Sequence, residues 1–165
     1  MSPRKHTPAA ATAERLALEK GTKPANTKEE NSTETQFQII IEKGTADKLS
    51  PKSKGKIYYQ LARNQNDKAN YLRITGNDGG GLHSREWIAL DKVITTLSGQ
   101  AGHPFKSNAL KECMVGKSAN NASFLAAILR SSDIGLIKPS EKSTFHHVLI
   151  DDFEERSASL QKRTK

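Results

Sequence analysis

The sequence predicts an α+β protein in which a disordered N-terminal tail leads into a small β-rich segment, followed by a three-helix region that closes on a hairpin. Three observations carry this. Residues 37–75 hold short β-branched and aromatic runs separated by turn residues. Residues 91–130 hold three amphipathic stretches broken by Gly, Pro and Ser. Residues 134–150 then place two apolar runs around KPSEKST, a basic turn containing Pro139. The organisation expected is a tail over 1–36, one domain over 37–150 divided near residue 90, and a C-terminal tail over 151–165.

From Met1 to Gln36 the chain is rich in Ala, Thr, Ser, Lys, Glu, Pro and Asn and nearly lacks large apolar residues. Too little surface is available for burial to offset the entropy of ordering, so disorder is expected. Phe37–Lys43 reads as a strand ended by Gly44. Ile57–Arg63 alternates Ile57, Tyr59 and Leu61 against Tyr58, Gln60 and Ala62, and Tyr71–Thr75 reads as its returning strand across the turn residues 64–70. A helix from Pro51 through Arg63 competes with that hairpin. Glu86–Leu90 is expected as a short strand, and Asp91 as the N-cap of the first helix. Ser107 and Ser118 are the expected caps of the second and third helices, with Gly116 ending the second. Residues 151–165 have the pattern of a terminal helix but few apolar residues to anchor one.

The charge is uneven. Of the formal net charge of +8, residues 37–150 carry +7, from 16 Lys/Arg against 9 Asp/Glu. A basic domain of this kind suits a polyanion, because Lys and Arg neutralise phosphates and release condensed counterions. Mean hydropathy is −0.67, so the core must be small. A single cysteine, Cys113, leaves no intramolecular disulfide and no cysteine-based zinc site, which points to a reducing compartment. With no apolar run of roughly 18 residues and no continuous apolar stretch of the secretory kind near Met1, the expected location is cytoplasmic, with no membrane partner.

The order helix, helix, helix, strand, turn, strand over 91–150 resembles a winged helix-turn-helix. That resemblance implies that the third helix and the wing meet double-stranded DNA. In SANNASFLAAILRSS the residues Ala122, Leu125, Ile128 and Leu129 share one helical stripe, with Asn120, Ser123, Ala127 and Arg130 opposite. Asn, Ser and Arg are residue types that read base edges. Lys117, Ser118 and Asn121 stand near the helix start, where backbone N–H groups favour phosphate. Lys138 and Lys142 fall on the wing and would contact the DNA backbone. A solvated polar face on an ordinary helix has the same composition.

Catalytic readings are weaker. Gly76 to Gly81 spaces two glycines as a phosphate loop does, but Leu82-His83 follows where Lys and Ser or Thr are required, and Gly116-Lys117-Ser118 lacks the first glycine. Cys113 sits in an apolar context, and His83-Ser84 are neighbours without a third group. The expectation is therefore a non-catalytic DNA-binding protein without cofactor or metal, a transcriptional regulator or accessory nucleoprotein factor. A protein-interaction module on the same scaffold is the alternative. A further one is single-stranded DNA or RNA binding over 48–73, where Tyr58, Tyr59 and Tyr71 alternate with Lys52, Lys54, Lys56 and Arg73, and Trp87 follows.

Overall fold

The computed structural model describes residues 36–165, and the expected disordered tail lies almost wholly outside them. Residues 38–165 form one compact unit. The architecture is α+β. Strands β1 (Phe37–Asp47), β2 (Lys56–Asn64), β3 (Asn70–Asn77) and β4 (Ile88–Ala89) form a sheet in that order. Helix α1 (Leu90–Ser98), strand β5 (Phe105–Lys106), a 3-10 helix (Ser107–Cys113) and helix α2 (Asn121–Arg130) follow, then β6 (Ile137–Pro139), β7 (His146–Leu149) and helix α3 (Phe153–Lys162). The second sheet has the order β5-β7-β6, with β7 antiparallel to both neighbours.

The hairpin expected over 57–75 forms, and the competing helix does not. β2 and β3 pair antiparallel from Ile57↔Asn77 to Arg63↔Asn70, with a bulge at Tyr58/Tyr59. Ile57, Tyr59 and Leu61 point with Leu72 and Ile74 into the core. At the turn, Asn64 and Asp67 accept backbone N–H bonds from Asn66 and Ala69, and Lys68 takes a φ of 61°. Those local bonds offset the left-handed conformation of a non-glycine residue.

Several element ends differ from expectation. β1 runs through Gly44 to Asp47 instead of stopping at the glycine. Gly44 is needed there for contact, since a Cβ would lie 2.4 Å from the ring of buried Tyr59. Asp91 falls within the first turn of α1, whose N-cap is Ala89, and its carboxylate accepts from Gln161 at 2.7 Å. The second helix is a 3-10 segment whose N-cap is Lys106, and the N-cap of α2 is Asn120 instead of Ser118.

Residues 151–165, expected as a tail, hold α3 with Phe153 and Leu160 buried. Two polar side chains dock it, one from β3 and one of its own. Asn70 donates through Nδ2 to the carbonyls of Leu160 at 2.7 Å and Arg163 at 3.0 Å, satisfying groups that a helix C-terminus otherwise leaves open. Arg156 donates to the carbonyls of Ser132, Asp133 and Ile134 just beyond α2. Asn70→Ala is expected to cost about 2 kcal/mol. Amide hydrogen exchange should quicken over 153–162 well before it does over β2.

Candidate functional site

The face of α2 expected to be open is covered. Ala127 is 1% exposed, and α2 packs against β2 on one side and the 81–86 segment on another. Asn120 donates through Nδ2 to the Leu82 carbonyl at 3.0 Å, and Ser118 donates to the same carbonyl at 2.7 Å. Asn121 is buried, accepting from Ser84 N at 2.9 Å and donating to Ser84 Oγ and the Gly116 carbonyl. Glu86 adds acceptors for the backbone N–H groups of Val115 and Gly116 at 2.9 and 2.7 Å. The expected helix-start residues thus clamp two loops together. Only Lys117 among them is exposed.

Arg130 is also committed inside the fold. Its guanidinium donates to the Thr144 and His146 carbonyls at 2.6 and 3.2 Å and through Nε to His147 Nδ1 at 3.1 Å. It therefore ties α2 to β7 and does not present a free fork to a base, as reading guanine would require. His147 is fully buried and its Nε2 lies 2.8 Å from Ser107 Oγ. That distance resembles a serine–histidine catalytic pair, but the bonding runs the other way. Because Nδ1 accepts from Arg130, the neutral ring carries its proton on Nε2 and donates it to Ser107. A histidine in that tautomer cannot take the serine proton. Burial, first, and the adjoining Arg130 charge, second, push its pKa down to about 4.

Ser107 borders a groove of about 410 Å³ between the 48–53 loop, the start of the 3-10 helix, the start of α2 and Phe145 just before β7. Lys48, Lys106, Asn108, Ser123 and Phe145 also line it. Of the expected contact residues, Ser123 alone lies here. Lys138 and Lys142 border a separate depression beside His103, where Lys138 pairs loosely with Asp151 at 3.4 Å.

Sequence reasoning missed Phe145, which is 55% exposed, and Lys106, the groove's lysine outside the 48–56 run. Lys106 and Phe145 become neighbours through the pairing Lys106↔His146, a long-range register that no local pattern announces. The aromatic residues of the 48–73 region divide differently from the stacking reading. Tyr59 is buried and bonded to Ser131 at 3.0 Å, Tyr58 is held by Asp78 at 3.0 Å, and Arg73 lies 4.3 Å from the Trp87 ring centroid. Lys56 pairs with Asp47, and Lys48 donates to the Asp78 carbonyl. Lys52, Lys54, Lys106, Lys111, Lys117 and Lys142 make no ion pair among the described residues.

Cys113 is buried, and desolvation, the largest influence on it, raises its thiol pKa, the opposite of an activated nucleophile. Among the described residues there is no group of three His, Cys, Asp or Glu side chains able to hold a metal, and no helix long and apolar enough to cross a membrane. No protein-family model, curated protein or solved structure matches this chain.

Proposed function

We propose that this is a non-catalytic DNA-binding protein whose phosphate contacts come from the groove beside the wing. The observation that carries the reading is a set of exposed lysines without carboxylate partners, Lys106 in the lining of that groove and Lys52 and Lys54 on the loop whose Ser50 and Ser53 line it. Unpaired lysines around a concave surface focus positive potential where a phosphodiester chain can lie. The order of α1, β5, the 3-10 helix, α2, β6 and β7, with β7 central in its sheet, supports the resemblance to a winged helix-turn-helix. In this reading α2 is a buried support, and the wing side of the domain meets the ligand.

The triple variant Lys52→Gln, Lys54→Gln, Lys106→Gln tests this. All three residues are exposed, so the fold should persist. Affinity for a random DNA fragment is expected to fall at least tenfold, and the slope of log K against log salt should flatten by about one for each phosphate no longer neutralised. Unchanged affinity and slope would remove the groove from the reading.

A second reading rests on Leu82 and Val115, 82% and 84% exposed on the rigid pair of loops clamped by Asn121 and Glu86. Exposed Arg85 and Lys117 accompany them, so the suitable occupant is an acidic, amphipathic protein segment. Absence of DNA binding at low salt would favour it, provided that Leu82→Ser and Val115→Ser leave stability unchanged, as residues outside the core must.

A further inference from the structure

We infer that the groove takes an unpaired base, stacked on Phe145, so that the ligand it selects is single-stranded. The inference rests on the DNA-binding reading and deepens it. Phe145 is the most exposed aromatic side chain described in the domain, yet its backbone is not loose. Ser140 Oγ donates to the Ser143 carbonyl at 3.1 Å and accepts from Ser143 N at 3.2 Å, Phe145 N donates to Ser143 Oγ at 3.2 Å, and Ser140 N donates to the His146 carbonyl at 2.9 Å. The turn therefore fixes the backbone that carries a large apolar ring lining the groove, so less backbone freedom is lost when a base stacks on it.

The lining supplies the rest of what a nucleotide needs. A volume of about 410 Å³ is open to solvent and falls in the range of small-ligand sites. Lys106 lines the same groove as the ring, is exposed and makes no ion pair among the described residues, so it can meet the phosphate of the stacked nucleotide. Ser107 accepts its bond from His147 and so retains its own proton for donation. A hydroxyl donor and the Asn108 amide then converge on a base whose ring carbonyls accept, as thymine's do. A base stacked inside a duplex has no exposed face for Phe145 and cannot enter the groove without leaving the stack, which is why duplex is the poorer ligand.

The test uses the full chain and three fluorescent probes: a thymine oligonucleotide, the same length with abasic sites replacing its central thymidines, and a duplex. The first two carry the same phosphates, so their difference reads the base alone. The wild type is expected to bind the intact strand about tenfold tighter than the abasic strand and tighter than the duplex, and Phe145→Ala should abolish the difference between the two strands. Equal wild-type affinity for intact and abasic strands, or an equal loss on both with Phe145→Ala, would overturn base insertion while leaving phosphate binding in place. Failure to bind any probe at low salt would instead overturn the DNA-binding reading beneath it. Circular dichroism of Phe145→Ala verifies the fold, and Phe145→Trp, which keeps a stacking face, should retain the preference.

Discussion

Replacing Gly44 with Ala is expected to destabilise the domain by about 3 kcal/mol, at the upper end for overpacking a core. The added Cβ would stand 2.4 to 2.7 Å from three carbons of the Tyr59 ring. The ring cannot withdraw cheaply. Its hydroxyl donates to Ser131 Oγ at 3.0 Å, Ser131 in turn donates to the Ile128 carbonyl at 2.6 Å, and the whole side chain is buried. Relief requires either that β1 leave the sheet edge or that Tyr59 give up its bond to the end of α2. Gly76→Ala is the matched control, because its Cβ would meet only Tyr58 Cδ2 at 3.7 Å. Urea denaturation should show a large fall in midpoint for Gly44→Ala and little change for Gly76→Ala.

The second large effect is a loss of stability on mild acidification, centred on His147. Its folded pKa of about 4 lies below the ordinary 6.5, so the unfolded chain binds a proton that the native state refuses. Stability is therefore complete above pH 6.5, declines as pH falls toward 4, and is down by about 3 kcal/mol there from this group. Protonation would oppose Nδ1 to the Arg130 guanidinium that now donates to it. The carboxyls of Asp67 and Asp78, held below 3.8 chiefly by bonds from Tyr71 and from Lys56 N, weaken the fold only at still lower pH. His147→Gln should lower stability at neutral pH and flatten its dependence between pH 4 and 6.5, as read from denaturation at several pH values.

Local patterns gave access to much of this architecture. Alternation in Ile57, Tyr59 and Leu61 reports a strand with one buried face, and the amphipathic stretch DKVITTLSG reports a helix, because each signal lies within its own element; Leu90, expected to end the strand before it, instead opens that helix. What joins the elements was not legible. Asn70 caps a helix some 90 residues away, Arg156 holds the end of α2, and Asn121 fastens the Ser84 loop, yet each is a residue type that usually faces water. The same limit governs the site. Asn120 and Arg130 have the chemistry for reading bases, and only the packing of the 81–86 segment and the strand-β7 side against α2 turns them into internal fastenings. Phe145 reads as core in a β-prone run, whereas the Ser140–Ser143 turn leaves it in solvent. α3 was hard to anticipate because only Phe153 and Leu160, seven residues apart, anchor it.

The groove's lysines acquire meaning together only through the fold. Lys52 and Lys54 come from the loop before β2, whose Ser50 and Ser53 line the groove, and Lys106, itself a lining residue, from β5. Their charge is not neutralised within the domain, so it remains available to a polyanion.

The most direct measurement is the anisotropy of labelled DNA, single-stranded and duplex, titrated with the full chain at about 50 and 200 mM salt, a span over which phosphate contacts weaken strongly. Micromolar or tighter binding is expected at the lower salt, weakening steeply at the higher, with the single strand preferred. No binding of either form at the lower salt, or binding indifferent to salt, would contradict the DNA-binding reading.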